Sequence, residues 1–283
     1  AKLICLKSTH ELPLEEYEDS IGGHKKISSN LPDFMAIPTA AGTGSEVGRS
    51  AVVTLESSGR KTVIFSPHLL AKVVIADPEL TVGLPRGLTA ATGMDALTHN
   101  LEAYLAKNFH PICDGIALEG MKLVSENLRR AVEDGTDLEA RGNMLVAAMM
   151  GAIAFQKGLG VTHSLAHPLS TVSGLHHGLA NAIVLPHAMD FNRQVSADRL
   201  VDVASALGVE TGSLSLEEGA QAAIDQVLML CQDVGIPQNL SQVGVEANQI
   251  PVLAEQAIQD ICHQLNPRVC TLQDMIDIYS AAI

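Results

Sequence analysis

The sequence predicts an α/β N-terminal part over about residues 1–84, followed by an all-α domain over about 85–283. Three observations lead there. Four short apolar runs of strand length, set apart by glycine, proline and polar residues, lie within 34–77. Beyond residue 84 the texture changes to long alanine- and methionine-rich runs of helical length with short gaps, the pattern of antiparallel neighbours. Aromatic residues make up 3% of a chain that is 47% hydrophobic, so the core must be built from Ala, Leu, Ile, Val and Met, which suits packed helices.

In order along the chain, 1–6 reads as the end of a helix, and 13–29 as a polar connection with a turn at Gly22-Gly23. Phe34-Met-Ala-Ile-Pro38 is a buried strand stopped by proline. Thr39-Ala-Ala-Gly-Thr-Gly-Ser-Glu46 follows, a glycine- and hydroxyl-rich loop whose backbone N–H groups suit a phosphate, although Gly42-Thr43-Gly44 is not a full dinucleotide fingerprint. Strands are expected over 50–54, 61–66 and 72–77, with Gly59 turning the first two into a hairpin. Helices are expected over 88–105, 114–132, 138–155, 161–167, 179–191 (bent near Pro186), 197–207, 216–234, 249–261 and 272–282. Gly235-Ile-Pro237 and Asn266-Pro267 supply stops between the last of them. No internal repeat or low-complexity segment interrupts this order.

Composition narrows the classes of partner. A net charge of −14 is repelled by phosphate backbones, which argues against nucleic acid. No apolar run reaches the roughly 18 residues that a membrane span needs, and no signal peptide opens the chain. Cys5, Cys113, Cys231, Cys262 and Cys270 are odd in number, scattered and without a Cys-x-x-Cys, as expected of buried thiols in a reducing cytoplasm.

The chemistry concentrates in two places. His163-Ser-Leu-Ala-His167 and Asp95-Ala-Leu-Thr-His99 are each i, i+4 pairs, which a helix presents on one face. Pro168 predicts that the first of these helices ends or bends just past His167, with 170–174 as a loop. His176 and His177 follow and can fold back onto the helix end. A carboxylate with three neutral imidazoles makes a plausible shell for zinc, iron(II), cobalt or nickel. The competing reading is a helix-capping or surface-paired Asp95 with incidental histidines.

Gly-Met-Asp95-Ala-Leu-Thr-His99, His163-Ser-Leu-Ala-His167-Pro-Leu and His177-Gly-Leu-Ala-Asn181-Ala-Ile-Val-Leu-Pro-His187 together resemble the iron-containing (group III) alcohol dehydrogenases, most closely the lactaldehyde reductase/1,2-propanediol oxidoreductase type. The resemblance runs the length of the chain. It implies that 1–84 is the remainder of a Rossmann-like nucleotide-binding domain and 85–283 a helical metal-binding, catalytic domain, with the active site in the cleft between them. It implies Asp95, His99, His163 and His177 as metal ligands, His177 being preferred to His176 because it directly precedes Gly178. His167 is implied as a proton-transfer or substrate-positioning group beside the metal, a task that suits an imidazole. Thr39, Gly42, Thr43 and Lys61 are implied to contact NAD. His10, His24, His68, His110, His187 and His263 are read as structural or exposed.

The function so implied is a cytoplasmic, NAD-dependent dehydrogenase, holding iron(II) or zinc, that interconverts a small primary alcohol or diol and its aldehyde. The metal would act as a Lewis acid toward the substrate oxygen. A dimer or larger homo-oligomer is expected, with neither nucleic acid nor membrane as partner. Relative to the family the chain lacks about a hundred N-terminal residues, which carry the first βαβ unit and the pyrophosphate loop. That departure raises an alternative, a metal-binding helical module without dehydrogenase activity. A glycerol-dehydrogenase-like or dehydroquinate-synthase-like enzyme is a further one, matched less well by the Asp-x3-His and His-x3-His-Pro-Leu spacings.

Overall fold

The computed structural model describes residues 1–55 and 61–283, with Lys61 described by its backbone only. The expected turn at Gly59 lies outside the described residues. The chain packs as two compact units. One comprises Ala1–Pro38 with Gly44–Asp77, and the other comprises Thr39–Thr43 with Pro78–Ile283. The change expected near residue 84 thus falls at Asp77/Pro78, and part of the glycine-rich loop is grouped with the helices.

The first unit holds α1 (Lys2–Lys7) and four strands, β1 (Met35–Ala36), β2 (Ser50–Thr54), β3 (Lys61–Phe65) and β4 (Val73–Val74). Strands β2 and β3 form the expected antiparallel pair, Ser50 opposite Phe65 and Thr54 opposite Lys61. Strands β1 and β4 pair in parallel and are shorter than expected. Pro38 has no N–H to extend the first of them. Leu6, Tyr17, Ile27, Ile64 and Leu69 form this unit's own core. The Lys2 ammonium donates to the carbonyls of Ser45, Gly48 and Ser50 at 2.6–2.8 Å, tying α1 to the loop before β2. Burial lowers this ammonium to about 8.

The second unit is helical: α2 (Arg86–Leu105), α3 (Pro111–Glu133), α4 (Leu138–Ala154), α5 (Val161–Val172), α6 (His177–Ala206), α7 (Leu216–Asp233), α8 (Ile250–Ala257) and α9 (Leu272–Ala282). Helix α2 lies at its centre, packed on α3, α4 and α6, and all residues from Thr89 to Leu105 except Thr92 are buried. Small side chains make that possible. At Gly151 of α4 an added Cβ would lie 2.9 Å from the Asn100 amide and 3.0 Å from the His99 Cβ, so α4 presses directly on α2. None of the described helices is long and apolar enough to cross a membrane.

Two prolines behave differently from expectation. Helix α5 does not end after His167. It runs through the buried Pro168 to Val172 and stops where Gly174 adopts φ +69°. Burial of the Pro168 ring and of Ser164, Leu165 and Ala166 in the preceding turn outweighs one missing backbone hydrogen bond. Helix α6 likewise continues through Pro186, and its dihedrals break only at Ser196 (φ −140°, ψ 26°). The carbonyl freed by Pro186 belongs to Ala182, and it accepts the Cys231 thiol at 3.7 Å. The two helices expected over 179–191 and 197–207 are thus both present and meet at the kink at Ser196.

Helix α9 is tied to α5 by a polar contact, the buried Tyr279 hydroxyl donating to the Leu165 carbonyl at 2.6 Å. Tyr279→Phe is expected to destabilise the protein by about 1 kcal/mol. The measurement is the urea unfolding midpoint; an unchanged midpoint would show that the contact contributes nothing.

Candidate metal centre

Three helices deliver the polar groups. Helix α2 places Asp95, His99 and Glu102 on successive turns of one face. Helix α5 places His163 and His167 a turn apart, and α6 begins at His177 with Asn181 one turn later. Asp95, His99 and His163 are all buried, and each offers a ligand atom within 4.8 Å of the others. The His177 Nε2 lies 3.6 Å from Asp95 Oδ1, whereas His176 is exposed at the helix cap. Helix α6 reaches α2 this closely because residue 178 is glycine: an added Cβ would lie 2.2 Å from the Ala91 carbonyl oxygen and 3.2 Å from the Asp95 Cβ.

Hydrogen bonds settle which nitrogen of His163 is free. Its Nδ1 faces the Glu102 Oε2 at 2.6 Å, while the Thr162 N–H donates to Glu102 Oε1 at 2.6 Å. The carboxylate therefore accepts a hydrogen bond from Nδ1–H and leaves the Nε2 lone pair directed inward, where it meets the His99 Nε2 at 3.0 Å. Asn181 donates to Asp95 Oδ1 at 2.8 Å, and its amide nitrogen lies 3.2 Å from His177 Nε2 and 3.4 Å from His163 Nε2. Two polar atoms at the convergence, His99 Nδ1 and Asn181 Oδ1, are buried without a hydrogen-bond partner among the described residues. Protein groups alone leave this centre unsatisfied. One carboxylate and three imidazoles are a donor set that fits a borderline divalent cation such as iron(II) or zinc.

The electrostatics favour the same state. Burial depresses the His163 imidazolium well below the ordinary range and brings His177 to about 3, so both are neutral at physiological pH. Burial pushes the Asp95 carboxyl up, but His99, His177, His163 and the Asn181 amide more than offset this and hold it below its usual value. Burial raises the Glu102 carboxyl against the hydrogen bonds that it accepts from the Thr162 side chain and the 160–163 backbone.

His167 stands at the edge of this centre, with its side chain 36% exposed. Its ring stacks on that of His177 (centroids 5.4 Å apart, planes 17° apart) and meets His163 edge-on at 6.0 Å. Its Nδ1 faces Asp260 Oδ2 at 2.7 Å. Of the expected cofactor residues, Gly42 is buried against Thr92 and Asp95, where an added Cβ would come within 3.3 Å of the Asp95 Oδ2. Thr39 and Thr43 flank it on the same segment, both exposed. Lys61 opens β3, and its side chain lies outside the described atoms.

Sequence reading did not single out Glu102, Asn181 or Asp260. For two of them a signal existed, since Glu102 is i+3 from His99 and Asn181 is i+4 from His177. Asp260 is separated from His167 by 93 positions, so no local pattern joins them.

Comparison with known proteins places these motifs. Residues 1–78 match the iron-containing alcohol dehydrogenase family model, and residues 89–283 match the C-terminal model of the Fe-containing alcohol dehydrogenase family. The chain is 43% identical to a 4-hydroxybutyrate dehydrogenase of Cupriavidus necator, over 97% of this chain and 72% of that protein. It is 38% identical to an NAD-dependent methanol dehydrogenase of Bacillus methanolicus, over 100% of this chain and 74% of that protein. Among solved structures, a 1,3-propanediol oxidoreductase superposes with a TM-score of 0.95 at 38% identity, covering all of this chain and 73% of that one.

Glu102→Gln should disturb the Nδ1 partner of His163 without touching a candidate ligand. Affinity for zinc, titrated calorimetrically into metal-free protein, is expected to fall by about 10–100-fold. Gly178→Ala should act in the same direction by displacing His177 from Asp95. Wild-type affinity in both variants would exclude the geometry described here as a metal centre.

Proposed function

The chain belongs to the iron-containing alcohol dehydrogenase family, and from that membership we propose that it interconverts a short primary alcohol or diol and its aldehyde, with NAD(H) as hydride carrier. The observation that carries the reading is the convergence of Asp95, His99, His163 and His177 from three helices on one point. The names of the similar proteins support the substrate class: 4-hydroxybutyrate, methanol and 1,3-propanediol are all short molecules with a primary hydroxyl. The use of NAD is supported by the name of the methanol dehydrogenase.

A divalent ion held by Asp95, His99, His163 and His177 supplies Lewis acidity toward the hydroxyl or carbonyl oxygen of the substrate. The chain's own residues supply the rest. Glu102 and Asn181 hold His163 and Asp95 in the orientation that keeps their inward atoms free. His167 moves the hydroxyl proton: it is partly exposed, stacked beside His177, and carries a ring nitrogen that Asp260 does not occupy. The buried apolar walls of α2, α4 and α5 keep bulk water from the inner face of the site. Thr39, Gly42 and Thr43 would contact the dinucleotide, and the buried Gly42 lets the loop backbone come close to Asp95.

The test is NADH formation from 1,3-propanediol and NAD⁺ after anaerobic loading with iron(II) or zinc. Turnover is expected with metal, none after dialysis against a chelator, and recovery on reloading. His163→Ala is expected to lose both bound metal and turnover; full turnover in that variant would sink the metal assignment. Stoichiometric metal without NADH from any short primary alcohol would overturn the hydride-transfer reading.

A further inference from the structure

Resting on the reading that His167 moves a proton, we infer that Asp260 is a positioning residue which fixes the tautomer and the aim of His167. Asp260 lies just beyond α8, in the turn that leads to the short helical segment Cys262–Leu265. Its carboxylate is fully engaged. Oδ1 accepts the Ser164 hydroxyl and the Cys262 backbone N–H, both at 2.8 Å, and Oδ2 accepts the His167 Nδ1–H at 2.7 Å. Ser164 is held in turn, since its Oγ accepts the His263 N–H at 2.9 Å. The carboxyl lies below its ordinary range: burial works against ionisation, and the hydrogen bonds from His167, Cys262 and Ser164 outweigh it.

An acceptor-only carboxylate dictates that Nδ1 carries the proton of neutral His167 and that Nε2 keeps the lone pair. The stacking on His177 and the edge contact with His163 then limit rotation of the ring. Nε2 is thereby kept as the base, on a ring that is held from one edge and one face. Asp260 touches no reacting atom; it acts through His167.

The two donors on Oδ1 make a sharp test possible. In Asp260→Asn one atom of the amide must be its oxygen. The Cys262 N–H can only donate, and Ser164, whose oxygen already accepts from His263, also donates; together they pin the oxygen at the Oδ1 position. The amide NH₂ is then left facing His167 Nδ1, which must become an acceptor, so the proton moves to Nε2 and the base is lost. The contrast is measured by ¹⁵N NMR of histidine-labelled, zinc-loaded protein, together with kcat and KM for a short diol. Wild-type His167 is expected in the Nδ1–H form and D260N in the Nε2–H form. The kcat of D260N should be lower by about 10²–10⁴-fold, with zinc content retained and KM altered far less.

A wild-type His167 in the Nε2–H form would overturn the inference without any variant. Wild-type kcat in D260N, with kcat lost in His167→Gln, would overturn the role of Asp260 alone. Wild-type kcat in His167→Gln would instead overturn the proton-transfer reading on which the inference rests.

Discussion

A helix buried on nearly every side cannot carry Asp95, His99, Asn100 and Glu102 unless neighbouring elements answer each of them, because an unpaired buried polar group costs on the order of 1–3 kcal/mol. That requirement on α2 places much of the helical unit. Asn100 is answered by the Ala96 and Ala147 carbonyls, which seats α4. Glu102 is answered by Thr162 and His163, which seats the N-terminus of α5. Asp95 is answered by Asn181, which seats α6. Within this network, His99 Nδ1, Asn100 Oδ1 and Asn181 Oδ1 are left without a hydrogen-bond partner among the described residues. Two of these atoms, on His99 and Asn181, lie where a carboxylate and imidazoles converge, a donor set that fits a divalent cation.

The close approach of the helices depends on what the sequence omits. Helix packing usually keeps axes about 8–10 Å apart, set by the side chains at the contact. With glycine at 151 and 178, backbone meets the surface of α2 directly, and ligand groups on different helices come into reach of each other. The low aromatic content is part of the same design: alanine-rich faces on α2 and α4 leave room for imidazoles within a dense core. Catalytic geometry and core packing are therefore set by the same residues here.

The i, i+4 pairs in α2 and α5 were readable because ligand spacing within a helix is a local property. The preference for His177 over His176 rested on the resemblance at Gly178, a residue that the structure packs against Ala91. The end or bend expected at Pro168 and the bend expected near Pro186 were misplaced, because local propensity says nothing of the burial that outweighs a missing hydrogen bond, or of a thiol 49 positions away that replaces one. Glu102 sat in plain view at i+3 from His99, but a glutamate in a helix draws no attention until its neighbours show that it is buried. Asp260 was not legible at all, since only tertiary packing brings the 260–263 turn to α5.

The two histidines of α5 show how far environment decides role. Both are i, i+4 neighbours on one helix, and both give their Nδ1 to a carboxylate, Glu102 for His163 and Asp260 for His167. Their chemistry diverges through burial. The side chain of His163 is 2% exposed, and its free nitrogen faces His99 Nε2 and the Asn181 amide in the interior, out of reach of solvent. His167 is 36% exposed with its ring laid against His177, so its free nitrogen is available to a substrate proton while the ring remains beside the ligands. A carboxylate behind each imidazole supplies the same tautomer in two environments, and under the proposed function these would serve one to coordinate and one to transfer. The four-residue spacing keeps the two rings in edge contact, with centroids 6.0 Å apart.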